Sequence, residues 1–221
     1  MGGNRSWVST WLGVAGAACL LGLLSVLPTI DPVEQVIGQG DGWQTARIVC
    51  SMLLNSGTVW AGFPILLGWW VRDVRTSWLA GLVGTHLALI SHYAIGRLFG
   101  IFEPAIWAEN SAWFILATVA GPTLGFAGAV IHRRDVLGMM MSMLIPAGAF
   151  FEPVGVGMFF TSPFLPEATR SASALSGMIL MALGLISAIA VVIRRKHLES
   201  TSVHEQPRSS MLTLDSALWR A

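Results

Sequence analysis

Six runs of about twenty apolar residues, at 11–30, 48–71, 77–99, 111–131, 136–160 and 172–193, decide what this chain can fold into. A helix rises ~1.5 Å per residue and needs about 20 residues to cross ~30 Å of hydrocarbon. Barrel strands need only about ten residues, alternating apolar with polar, and nothing here alternates. Only 11% of the residues are charged, against roughly 25% in a soluble domain. A water-facing surface cannot be assembled around six such runs from so few charges. The expected fold is an all-α membrane bundle over residues 1–193, followed by a polar tail at 194–221 that is expected to be disordered.

The turns between the runs set the expected orientation. One side carries Arg5, Arg72, Arg75, Arg133, Arg134, Arg194, Arg195 and Lys196; the other carries Arg47, Arg97 and Arg170 with most of the acids. Positive charge stays on the cytoplasmic side, so both ends and the tail are expected in the cytoplasm and the protein in the cell's inner membrane. The first run, with Arg5 before it and no small-residue cleavage site after it, reads as an uncleaved anchor.

Several function classes have no support. A net charge of +1 provides no basic patch for nucleic acid. Cys19 and Cys50 lie about 20 Å apart in depth at ~1.5 Å per residue, too far for a disulfide, and read as packing residues. There is no phosphate-binding glycine loop, no GxSxG, no HExxH, no Cys/His cluster and no pair of carboxylates on one helix. No catalytic residue, metal ligand or cofactor-binding residue is therefore assigned, and the chain reads as a non-enzyme.

What remains is a small set of polar side chains at membrane depth, where polar groups are costly and default candidates for function. Counting ~1.5 Å per residue from each helix end puts Glu152, Tyr93, His92 and Asn55 at nearly one level. Arg97 lies a turn above Tyr93, within reach of Glu152. His86, Tyr93 and Arg97 share a face of their helix, since offsets of seven and eleven nearly complete whole turns. These six residues form the candidate intramembrane site: a polar pocket opening outward, or hydrogen-bonded glue between helices.

Backbone features point to close packing. Gly121, Gly125 and Gly128 line one helix with small residues, and Pro64, Pro122, Pro146 and Pro153 are expected to kink their helices. A weak internal repeat pairs Gly68 and the Arg72-Asp73 turn with Gly128 and the Arg134-Asp135 turn, as tandem helical hairpins.

The same residues carry a resemblance. Asn55-Ser56, Trp60, Gly68 and Arg72, the Gly-Pro-x-x-Gly-x-x-Gly run at Gly121 to Gly128, and Glu152 resemble an uncharacterised family of small, largely actinobacterial, multi-pass membrane proteins. The resemblance spans about residues 45–190; members often carry Gly-Tyr-Tyr at Ser91-His92-Tyr93. It implies a location and an architecture rather than a reaction.

Three functions follow as expectations. The first is an accessory subunit packed in the bilayer against other membrane proteins; the second is a small-solute or proton-coupled transporter using the polar layer around Glu152. An intramembrane enzyme comes last. A cavity meeting Asn55, Tyr93 and Glu152 favours transport; a dry interior with Glu152 facing Arg97 favours the accessory role.

Overall fold

A computed structural model describes residues 7–29 and 42–218, with side chains described to residue 197. The start with Arg5, the acids Asp31, Glu34 and Asp41, and the tail's side chains beyond residue 197 lie outside the described residues. Nine α-helices occupy the described residues, with no strand: α1 (Trp7–Val26), α2 (Gly42–Leu54), α3 (Gly57–Val71), α4 (Val74–Leu98), α5 (Ile106–Glu109), α6 (Ser111–Val130), α7 (Val136–Ser142), α8 (Leu144–Gly155) and α9 (Glu167–Leu218).

Four helices are individually long and apolar enough to cross a membrane: α1, α4, α6, and α9 over Glu167–His197. The other two expected spans are broken. Helices α2 and α3 meet at 48°, α7 and α8 at 42°, and six crossings result when each bent pair counts as one. Hydropathy located the runs but not these bends. The polar triplet Asn55-Ser56-Gly57 stops one helix and caps the next, the Ser56 hydroxyl accepting from Val59 N at 3.2 Å. The second bend follows from Pro146, which has no N–H to give Ser142 and crowds that carbonyl; α7 ends at Ser142. Pro122, by contrast, sits inside the unbroken α6.

The two arginine-bearing turns are built alike. Asp73 caps α4 through Thr76 N at 2.8 Å, and Asp135 caps α7 through Gly138 N at 2.9 Å. The helices that follow differ: α4 runs unbroken for 25 residues, while its counterpart is split into α7 and α8.

Lipid tails are as apolar as leucine, so close packing rather than the hydrophobic effect holds such helices together. The centre is α3, α4 and α6, in backbone contact. A Cβ on Gly68 would collide with Gly125 O, on Gly81 with Gly121 O, and on Gly128 with Ile65 O and, at 2.8 Å, Trp69 N. The expected packing face of α6 is thus the face that meets α3 and α4. Helix α1 lies on α4, where a Cβ on Gly22 would come within 2.8 Å of His92 N. On the other side α9 packs on α8, where a Cβ on Gly184 would come within 2.7 Å of Pro146 O, and reaches α2 through Ile48, Val49 and Ala172.

Two expectations change. The chain after residue 193 does not leave the helix: α9 continues to Leu218, in a stretch with no glycine. Cys19 and Cys50 are both free, as expected, but stand exposed rather than packed inside.

Candidate functional site

The break between α2 and α3 sets the geometry of the site. A helix begins with N–H groups that have no intrahelical acceptor, and at membrane depth water is not at hand to bind them. At α3 all are satisfied. Ser56 takes Val59 N through its hydroxyl and Trp60 N, at 3.2 Å, through its carbonyl. The remaining two go to a carboxylate from α8: Gly57 N donates to Glu152 Oε1 at 2.6 Å and Thr58 N to Oε2 at 2.7 Å. A negative charge there also meets the positive end of the helix dipole. Glu152, the acid singled out in the sequence, is therefore the cap of another helix's start.

The expected Glu152–Arg97 pair does not form. Arg97 donates to Phe102 O at 2.8 Å. Helix α4 ends one residue later and the chain folds back through Gly100, at φ +70°, with Ile101 N bonded to Gly96 O. That turn delivers the Phe102 carbonyl to the guanidinium. Depth counting could not see the local acceptor.

Asn55 and His92 meet at a third residue, Ser25 of α1, absent from the sequence candidates. Asn55 Nδ2 donates to Ser25 O and Ser51 O, both at 3.0 Å. Ser25 Oγ donates to Gly22 O at 2.9 Å and lies 2.7 Å from His92 Nδ1. A hydroxyl has one proton, so with that proton on Gly22 O the bond to Ser25 comes from His92 Nδ1–H. The imidazole edge meets Trp60 in a T-shaped contact, centroids 5.8 Å apart. This knot ties α1, the α2–α3 break and α4 together.

Tyr93 borders it, its ring 5.0 Å from that of His92 in a T-shaped contact, while His86 lies apart. Tyr93 is buried among Phe102, Trp107 and Phe114. His86 Nδ1 donates to Leu82 O at 2.9 Å, and Nε2 lies 3.2 Å from the Thr118 hydroxyl on α6. Both rings touch Phe114, consistent with the shared face of α4.

Two cavities flank the break. A cleft of about 1130 Å³ runs between α3 and α8 towards α9 and includes Asn55, Thr58, Glu152, Trp113, Thr169 and Ser173 in its lining. A smaller cavity of about 350 Å³ lies between α3, α4 and α6, lined in part by Asn55, Trp60, Thr85, His92 and Tyr93. Asn55, Gly57, Ala61 and Trp113 line both. The structure thus brings Asn55 and Glu152 to one cavity and Asn55, His92 and Tyr93 to its neighbour; Arg97 and His86 line neither. Ser25, Ser56 and the two α3 N–H groups were missed. Only Ser56 had a sequence signal, as a capping residue followed by glycine inside an apolar run. Among the described residues no group of three His, Cys, Asp or Glu side chains is placed to hold a metal ion.

Comparison with known proteins comes to one finding. Residues 48–204 match a family of unknown function, DUF6518, and the chain belongs to that family. No curated protein and no solved structure matches it.

Proposed function

We propose that this member of a family with no known role is a non-enzymatic membrane protein that binds a small solute, in the manner of a transporter. The ligand seat is the cleft beside the α2–α3 break. The observation that carries the reading is an open cleft of about 1130 Å³, lined at one end by a half-helix start and its carboxylate cap. Discontinuous helices at mid-membrane line binding sites in transporters for the same physical reason: their ends offer backbone polar groups that an unbroken helix withholds. The lining is mostly apolar, with hydroxyls at Ser51, Thr58, Thr161, Thr169 and Ser173. It suits a compact, largely apolar solute carrying a few hydrogen-bonding groups. Neither expected sign is met in full: the cleft meets Asn55 and Glu152 but not Tyr93, and Glu152 bonds the start of α3 rather than Arg97.

Water access tests the proposal. In a chain with Cys19 and Cys50 replaced by serine, a cysteine at Ala61 or Thr169 in the cleft reacts with a membrane-impermeant thiol reagent. A cysteine at Ile115, exposed on the outer surface of α6, does not. Unreactive cysteines at both cleft positions in the intact protein return the accessory role to first place.

A further inference from the structure

At the opposite end of α3 a second hollow has the reverse chemistry. It encloses about 400 Å³ between α3, the α6–α7 turn and α9, and meets the large cleft only across Ile65 and Ile145. Its lining includes Arg133, Arg134, Arg194, Arg195 and His132, and no carboxylate. Among the described residues, only Arg133 of the four arginines is paired with an acid, Asp135. That acid is already committed to the α7 start, and the bond from Gly138 N, reinforced by Arg133, holds its carboxyl below the usual aspartate range.

Arg195 is fixed in place. It donates to Arg133 O at 2.7 Å and Ile131 O at 3.1 Å, past the end of α6, and to Ser142 Oγ at 3.4 Å. Those bonds use three of a guanidinium's five N–H groups and no negative charge. His132 Nε2 donates to Trp69 O at 3.0 Å, with its ring stacked on Trp69. One wall is apolar and open to the outside: Leu66 is 55% exposed and Trp69 40%.

We propose that this hollow binds the phosphate of an anionic amphiphile, with the arginines on the phosphate and the apolar part along Leu66 and Trp69. Arg133, Arg134 and Arg194 remain exposed, while Arg195 is half-buried. They converge on one concavity between helices, an arrangement that suits the phosphate of a lipid headgroup. A free phosphate compound has the same group without the tail. The proposal does not depend on the cleft or on solute binding there.

The test is the thermal unfolding of the full chain in mild detergent, titrated with phosphatidylglycerol, phosphatidylcholine, glycerol phosphate or inorganic phosphate. Phosphatidylglycerol raises the transition temperature and phosphatidylcholine does not. Since a charge-assisted contact is worth about tenfold in affinity, Arg134→Gln/Arg194→Gln raises the half-saturating concentration about tenfold or more. Arg194→Gln alone gives a smaller shift if the double variant does not fold. The control, Arg72→Gln/Arg75→Gln, removes the same charge from the α3–α4 turn and leaves the titration within about twofold of the parent. Equal response to glycerol phosphate upholds the phosphate site and names a soluble source. Equal loss in the control, equal response to phosphatidylcholine, or no response to any probe overturns the proposal.

Discussion

Helix α3 has glycines on two faces, and they do opposite things. Towards α4 and α6, Gly68 has no room for a Cβ, because the Gly125 carbonyl occupies that space. Towards α8, Gly62 would place one 3.7 Å from the Ile145 side chain, and the facing Gly148 would place one 3.5 Å from Thr58 Oγ1, both ordinary contact distances. The first face is a backbone-to-backbone seam; the second leaves the large cleft and is bonded across at Glu152. Where association rests on packing alone, the seam supplies stability and the cleft leaves volume for function. The polar groups divide the same way: the Ser25 knot fastens helices at the packed side, and the Glu152 cap bridges the open one.

The sharpest way to break this comparison is Gly128→Ala. Its methyl would enter the backbone of α3 at Ile65 O, and overpacking costs about 1–3 kcal/mol or more when a backbone must shift. Thermal unfolding in detergent measures it; a cost under about 0.5 kcal/mol means the seam is not rigid. Glu152→Gln comes next. A neutral amide offers one acceptor oxygen where the carboxylate offers two, so one α3 N–H loses its partner, at about 1–2 kcal/mol. Hydrogen exchange should rise at residues 57–58 and stay level at 125–128. Exchange rising equally in both places would show that the cap and the seam are not separate.

Ser25→Ala removes the acceptor for His92 Nδ1–H and is expected to cost about 1 kcal/mol, read from the same unfolding transition. Asp73 provides a smaller effect that depends on pH. The Thr76 hydroxyl, then its N–H, holds the carboxyl below its ordinary value. A depressed folded pKa adds stability above the unfolded value and loses it as pH falls through the folded one. Asp73→Ala should cost about 0.5–1 kcal/mol at neutral pH, at the low end for a cap because the site is exposed. The difference from the parent should fade on acidification below about pH 4. A gap that widens in acid would reverse the assignment. Smallest of all, Gly62→Ala should be neutral or stabilising by up to about 1 kcal/mol, since the helix gains propensity and nothing is struck.

The existence and order of the helices were legible because six apolar runs have few alternatives. Of the bends only the second was legible, through Pro146; at the first, a window of about twenty residues averages away two or three polar ones, so Asn55-Ser56-Gly57 reads as part of one span. Depth counting brought Asn55, His92, Tyr93 and Glu152 to the right neighbourhood. It failed on partners for a definite reason. A search for charge partners sees Arg97, whereas the groups that hold Glu152 are backbone N–H groups freed by a break, which no side-chain pattern records. Ser25 escaped notice because its hydroxyl can satisfy itself within a helix, as it does at Gly22 O, and its reach to His92 depends on how α1 lies on α4.

The cap on α3 also has a consequence for assembly. Its acceptor lies 95 residues further along the chain, so the upper end of α3 stays unfinished while α4 to α7 are being synthesised. During that interval Gly57 N and Thr58 N must keep water or a temporary partner. Insertion of the fifth span completes the second.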